Sequence, residues 1–341
     1  MTAPLRVAVI GTGLGSPPHF LSLRDLAAEV EVAWILGRRA SEMAAAYGMG
    51  SARIASRLDD VLRDASVHAA VVLTPPNTHL EVVKALAEAG KHVLVEKPLE
   101  LSLARATELV EVCERHGVML GVMLQHRMRP AALALKELIA SGELGSLVSA
   151  GAFIRWWRPQ AYYDEPGRGT LARDGGGVLM TQAIHTLDLL LTYTGLPQRL
   201  VAMAGTTALH RMETEDLASA LVQFGDGVTA VVHATTAAFP GFPERIELNF
   251  TGGSATLEGL GLRVNLMDGR FWDAGLAQGS SGGGADPMAF DHGPHGAVLG
   301  DFFTAIETGR SPAVSGRSAL AVQQLIEAMM ASSRSGAAVS L

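Results

Sequence analysis

The chain is short of lysine. Its 341 residues include four lysines (Lys84, Lys91, Lys97 and Lys136) against 23 arginines. Positive surface charge is therefore written almost wholly as Arg. A Lys kept at a strand end stands out, because Lys can lose its proton when buried and Arg cannot. Cysteine is scarcer still: Cys113 alone excludes an internal disulfide, and its place in a helical pattern suits a buried thiol. Aromatics make up 5% of the chain, its net charge is −7, and no basic stripe is present, which argues against nucleic-acid or anionic-membrane partners. No apolar run reaches the roughly 18 residues of a membrane span. The first strand starts near residue 5, which leaves no room for a signal peptide, so the expected location is the cytoplasm.

What is present is a globular composition, 48% hydrophobic with 38 glycines, in a chain long enough for two cores. Short β-branched runs at 5–10, 31–36, 53–55, 69–73, 91–95 and 118–124 alternate with helical patterns at 40–47, 58–63, 80–89 and 102–116. That rhythm means βαβ units and a parallel, doubly wound sheet, an α/β Rossmann domain over residues 1–122. After residue 122 the rhythm changes. A strand at 145–157 and a helix ending at 194 precede runs at 199–209, 216–224, 228–236, 245–251 and 255–258 with no helices between them. These predict an α+β second domain, 123–341, with a largely antiparallel or mixed open sheet. Gly225-Asp226-Gly227 reads as a hairpin turn. Residues 275–284, rich in Gly and Ser, read as a loop, and helices at 297–308 and 318–333 close the chain.

Three stretches carry chemistry. Gly11-Thr12-Gly13-Leu14-Gly15-Ser16 follows the first strand, where glycines permit a tight turn and let backbone approach a pyrophosphate. A structural glycine turn is the plainer alternative. The second strand ends in Gly37-Arg38-Arg39 instead of the acidic residue that accepts from an NAD ribose. Two guanidinium groups there suit a 2′-phosphate, so NADP(H) is favoured over NAD(H) within an NAD(P) reading. The buried run Val93-Leu94-Val95 delivers Glu96-Lys97-Pro98 to the carboxyl end of a parallel strand, where such sheets hold their ligands.

In the second half, residues 177–194 are apolar nearly all round, yet Thr181, His185, Asp188 and Thr192 fall on one narrow stripe. Buried polar groups need partners, so the stripe faces either a polar neighbour, as in a satisfied His–Asp pair, or a ligand. Trp157, Tyr163 and Arg168 precede that helix; aromatic faces stack on sugar rings and Arg pairs with phosphate or carboxylate, or the loop is simply an amphipathic surface.

Together the glycine turn, Thr74-Pro75-Pro76-Asn77-x-His79, Glu96-Lys97-Pro98, Arg127 and Gly-Gly-x(7)-His185-x-x-Asp188 resemble the Gfo/Idh/MocA oxidoreductases along essentially the whole chain. The resemblance implies NAD(P) held by Gly11, Thr12, Gly13, Leu14, Gly15, Arg38, Arg39, Thr74, Pro75, Asn77, His79, Glu96, Lys97 and Arg127. It implies hydride exchange with a sugar, cyclitol or nucleotide-sugar hydroxyl or ketone. Lys97 and His185 would be the acid–base residues, with Trp157, Tyr163, Arg168, Thr181 and Gln182 beside the substrate. One departure is clear: many members carry Asp four residues before the His, and this chain has Thr181.

Two other functions fit the same parts. One is a lyase or glycosidase that oxidises transiently and then reduces back; the other is a non-catalytic NAD(P)-binding redox sensor. A metal is not expected, because His292 and His295 lack thiolate or carboxylate partners in ligand spacing. The runs at 216–224 and 228–236 are apolar on both faces with one helix to cover them, so a homodimer or homotetramer is expected.

Overall fold

The computed structural model describes residues 4–274 and 291–341. They form two packed units, one of residues up to Gln125 together with Asp291–Leu320, the other of the remainder.

In the first unit six strands form one sheet: β1 (Leu5–Ile10), β2 (Val30–Leu36), β3 (Arg53–Ala55), β4 (Ala69–Val72), β5 (His92–Val95) and β6 (Leu120–Val122). Their order is β3-β2-β1-β4-β5-β6 and every pair is parallel. Val7, Ala8, Val9, Val71, Val93 and Val95 are fully or almost fully buried, as expected of strands covered on both faces. Strand order reverses between β1 and β4, so their carboxyl ends diverge and leave a crevice. Cys113 lies buried in the helix Leu103–Arg115, and desolvation pushes its thiol up to about 12.

Not all residues past 122 fall in the second unit. The late helix Gly293–Thr308 packs on Pro17–Asp25 in the first unit. Gly121 in β6 makes room for Phe302, whose ring carbon lies 2.8 Å from where a Gly121 Cβ would stand, and Gly121 bridges Ser315. Adjacency in sequence could not show this, because the covering helix is contributed by residues far along the chain.

The second unit holds a nine-stranded sheet in the order β14-β13-β12-β11-β7-β10-β9-β8-β15. Its strands are β7 (Leu147–Arg155), β8 (Arg199–Gly205), β9 (Leu217–Gln223), β10 (Thr229–Thr235), β11 (Arg245–Phe250), β12 (Gly253–Glu258), β13 (Gly261–Leu266), β14 (Phe271–Ala274) and β15 (Val339–Ser340). β7 and β10 pair in parallel and the other neighbours are antiparallel, so the sheet is mixed and largely antiparallel. The last three strands are additions to the expected set. β13 alternates buried Leu262, Val264 and Leu266 with exposed Arg263 and Asn265, whereas the two residues of β15 become a strand only through pairing with β8. The β9–β10 turn places Asp226 at φ 56° and Gly227 at φ 78°, the left-handed conformations such a hairpin requires. The Gly/Ser-rich stretch 275–284 lies outside the described residues. Among those described, no helix is long and apolar enough to cross a membrane.

Candidate active site

In the first unit the glycine turn leaves β1 at its carboxyl end. Gly11 has φ +112°, and a Cβ there would stand 2.5 Å from the Leu73 carbonyl carbon, so only glycine lets the turn lie against the end of β4. Gly13 and Gly15 face open space and Leu14 is 60% exposed. Pro17 and Pro18 open the next helix, where their missing N–H groups cost no intrahelical bond. A glycine cradle at the reversal of strand order, opening onto a helix N-terminus, fits a dinucleotide pyrophosphate.

Thr12 is 6% exposed and acts within the protein: its Oγ1 accepts the Arg39 backbone N–H at 3.0 Å. A Cβ on Gly37 would come within 2.3 Å of that oxygen, so the glycine is required by Thr12 whatever nucleotide binds. Arg38 and Arg39 are not equivalent. The Arg39 guanidinium clasps Glu42 through two bonds of 2.9 and 2.5 Å, whereas Arg38 is exposed and makes no side-chain hydrogen bond or ion pair among the described residues.

The loop after β4 is held by His79, which is fully buried and therefore a clamp instead of an exposed contact. Its Nε2 faces the Thr74 carbonyl at 2.8 Å and its Nδ1 faces the Pro98 and Leu99 carbonyls at 3.1 Å. Burial lowers its pKa, and the carbonyls facing both of its nitrogens oppose that shift. The clamp joins the Thr74-Pro75 turn, where Thr78 Oγ1 lies 2.8 Å from Thr74 Oγ1, to the segment after Lys97. Pro75 and Asn77 are exposed at the tip of that loop.

Lys97 stands half-buried just past β5. Glu96 beside it has both carboxylate oxygens engaged: Oε2 accepts the Lys97 backbone N–H at 2.9 Å, and Oε1 lies 2.7 Å from His19 Nε2. Burial would raise the Glu96 carboxyl, but the His19 bond and the nearby His19, Lys97 and His295 outweigh it and hold the group down at about 2. His295 packs edge-on to His19 with ring centroids 5.2 Å apart, and burial brings it down to about 3. The expectation that His295 has no carboxylate neighbour is thereby corrected: donor atoms of His19, Glu96 and His295 lie within 4.8 Å of one another. His292 instead meets Asp25 at 2.8 Å.

In the second unit the segment bearing His185 starts as a π-helical turn, Leu179–Ala183, and continues as the α-helix Ile184–Thr194. The wide turn breaks the regular spacing assumed for the stripe from Thr181 to Thr192, and such turns gather at functional sites. Buried Glu215 secures the start: its carboxylate accepts the Gly177 and Leu179 N–H groups at 2.9 and 3.1 Å. A Cβ on Gly177 would stand 1.8 Å from the Glu215 carbonyl oxygen.

Asp188 is bound by Arg127 through contacts of 2.6 and 2.5 Å, and His185 stacks on His126 at 4.8 Å. Burial raises the Asp188 carboxyl while Arg127 opposes it. Arg129 Nη2 lies 2.6 Å from His126 Nε2 and its Nη1 2.6 Å from Glu244. Arg can only donate, so His126 accepts on Nε2 and carries its proton on Nδ1.

Tyr163, Arg168, Thr181 and Gln182 line one cavity of about 90 Å³, whereas Trp157 is not among its lining residues. The Trp157 ring meets Phe239 edge-on at 5.5 Å. The Arg168 guanidinium sits 4.0 Å over the Tyr162 ring and pairs with Glu165 at 2.6 Å, so its charge is already answered. Thr181 Oγ1 lies 2.7 Å from the Gly177 carbonyl and 2.5 Å from Gln182 Oε1, and Gln182 Nε2 lies 3.4 Å from Tyr162 OH.

Sequence reasoning missed His19, His126, Arg129, Glu215 and Glu244. No local pattern ties any of them to its partner, which is 3 to 115 positions away. A polar residue in an otherwise buried helical face is the signal that points to His19.

Known proteins share this architecture. An NAD-binding Rossmann profile of an oxidoreductase family matches residues 5–124, and the profile of the Gfo/Idh/MocA C-terminal domain matches 132–256, together well over half of the chain. An uncharacterized oxidoreductase of Schizosaccharomyces pombe is 31% identical over 63% of this chain, a match that spans only 58% of that protein. D-xylose 1-dehydrogenase (NADP(+)) 2 of Haloferax volcanii is 28% identical over 92% of this chain and 93% of its own length. The WlbA dehydrogenase of Bordetella pertussis, crystallised with NADH and UDP-GlcNAcA, superposes with a TM-score of 0.83 at 27% identity over 99% of both chains. With both of its domains matched in order by a strand-end glycine turn and a mixed-sheet unit of this kind, the chain belongs to the Gfo/Idh/MocA family of NAD-binding oxidoreductases.

Proposed function

We propose that this protein is an NAD(P)-dependent dehydrogenase or reductase acting on a hydroxyl or ketone of a sugar, cyclitol or nucleotide sugar. The observation that carries the reading is the glycine cradle at the β1–β4 reversal with Lys97 presented by β5 of the same sheet. Gly11, Gly13, Leu14 and Gly15 would hold the pyrophosphate, the loop from Thr74 to Asn77 and Glu96 would line the remainder, and Thr12 and His79 would shape the frame from behind. The bound nicotinamide would supply the hydride acceptor or donor. When a carbinol hydrogen leaves as hydride, its hydroxyl proton is taken by Lys97 or His185, and in reduction the same group returns it. Arg127 holds Asp188 and thereby fixes the helix of His185. Tyr163, Arg168, Thr181 and Gln182 offer a ring face and hydrogen-bonding groups suited to a polyol, with Trp157 a further aromatic surface.

Arg38, open beside Gly37, supports NADP(H) over NAD(H); Arg39 has to leave Glu42 before it adds to that preference. Relatives include both a protein named for NADP(+) and one crystallised with NADH. A buried thiol and the absence of a spanning helix among the described residues are in keeping with a cytoplasmic location. Val201, Met203, Leu221 and Val231 are exposed on one face of adjacent strands, and their apolar area supports a homodimer or homotetramer. Light scattering at micromolar concentration reads this, with a monomer as the contrary result.

The deciding experiment follows cofactor absorbance with a panel of sugars, cyclitols and nucleotide sugars in both directions with each cofactor. Net reduction or oxidation is expected. Turnover with no net cofactor change would replace this reading with the transient-oxidation lyase.

A further inference from the structure

The ring of His185 has a surface to lean on within its own unit. The His126 imidazole stacks against it, with centroids 4.8 Å apart and planes inclined by 28°. That spacing and tilt fall in the range of stacked aromatic pairs. A ring stacked on one face turns about its Cβ–Cγ bond only by breaking the stack. What holds His126 in place therefore also aims the nitrogens of His185.

That hold is buried and comes from separate parts of the chain. His126 and Arg129 precede the helix Pro130–Ala140, and Glu244 stands just before β11. The Arg129 guanidinium divides its terminal nitrogens between two tasks. Nη1 donates to Glu244 Oε1 at 2.6 Å and to the Gly259 carbonyl at 3.1 Å, while Nη2 donates to His126 Nε2 at 2.6 Å. His126, Arg129 and Glu244 are all buried, so water competes little for these bonds. A guanidinium is a planar fork of donors. With one prong secured by a carboxylate and a carbonyl, the other prong sets the plane of the His126 ring.

We propose that His126 is a positioning residue for His185, and that the Arg129–Glu244 ion pair serves the site by locking the His126 ring. This rests on the reading of His185 as an acid–base residue, given above. An imidazole that exchanges a proton with a substrate hydroxyl must present a nitrogen at hydrogen-bonding range. A misplacement of about 1 Å can cost on the order of 10² in rate. What His126 offers is a flat face, which a phenyl ring can imitate and an aliphatic side chain cannot.

The test separates a flat support from mere bulk. His126→Leu is expected to lower kcat on the order of tenfold or more, with KM and cofactor affinity little changed. His126→Phe restores the flat face and should recover most of that loss. Replacing the clamp outright, by Arg129→Met together with Glu244→Leu, strands no buried charge and should lower kcat by less than His126→Leu. A readout without turnover comes from NMR of the protein with its 11 histidines ¹³C-labelled. The His185 signals, assigned by their absence in His185→Ala, should carry a ring-current displacement that His126→Leu abolishes and His126→Phe keeps. Circular dichroism and cofactor binding establish that each variant is folded. Unmoved His185 signals in folded His126→Leu overturn the proposal, and unmoved signals in the double variant overturn the part given to Arg129. His126→Phe no more active than His126→Leu also overturns it, since His126 would then act through its nitrogens. If the signals move as expected while His185→Ala retains full activity, it is the catalytic assignment of His185 that fails.

Discussion

Two paired carboxylates divide the molecule's electrostatics. Glu96 in the first unit is held by the His19 imidazole and a backbone N–H, and these with neighbouring groups hold its carboxyl down at about 2. Asp188 in the second unit is held by a guanidinium and is nonetheless raised by burial. In the first the partners outweigh burial, while in the second burial prevails although a guanidinium holds the carboxylate. The difference teaches that a paired carboxylate is not a single structural device: its partner decides whether charge survives for chemistry.

The comparison breaks most visibly at Lys97. Lys97→Ala is expected to lower kcat by a factor on the order of 10² or more while cofactor affinity, read by fluorescence titration, stays nearly intact. Full activity on the true substrate would remove the distinction between the two carboxylates' roles. In the second unit, Arg127→Ala strands Asp188 in a dry site, and a loss on the order of 3 kcal/mol is expected in urea unfolding. A change within error would mean that Asp188 is protonated and needs no partner.

The pH response differs in sign. His295 has a folded pKa of about 3 against an ordinary value near 6.5, so the unfolded chain binds a proton that the folded one refuses. Its contribution is full above pH 6.5 and is lost as pH falls toward 3. Glu96, lowered to about 2, likewise stabilises above about pH 4.5 and loses its contribution as pH falls toward 2. Asp188, raised, moves the other way: protonation relieves its burial. Thermal melts from pH 7 to 4 should therefore show acid destabilisation that His295→Leu reduces; an unchanged slope would count against a neutral buried His295.

The smallest effect tests the exposed pair. Arg38→Ala should weaken NADP(H) binding about tenfold and leave NAD(H) unchanged, whereas Arg39→Ala, already clasped by Glu42, should cost less. Equal losses in both variants would show that the clasp opens on binding.

Much of this was legible in the residues. The strand–helix alternation read the parallel sheet correctly because fully buried strands are written as unbroken β-branched runs. Gly11, Glu96-Lys97 and the polar stripe around His185 stood out because their chemistry contradicts their surroundings. Gly37 was legible as an opening beside the arginines, but its reason was not: the side chain it avoids belongs to Thr12, on another strand's end. β15 and the place of Gly293–Thr308 were likewise beyond local pattern, since each exists through a partner more than a hundred residues away.

By itself the sequence determined the fold class, the cradle and the residue types offered for chemistry, because periodicity and turn stereochemistry are local properties of the chain. Only tertiary structure decided which charges remain. It set His19 rather than an arginine against Glu96, gave Asp188 to Arg127, turned Arg39 to Glu42 and left Arg38 open. A group's charge depends on the desolvation and hydrogen bonds around it, and those come from elements that the linear order keeps apart.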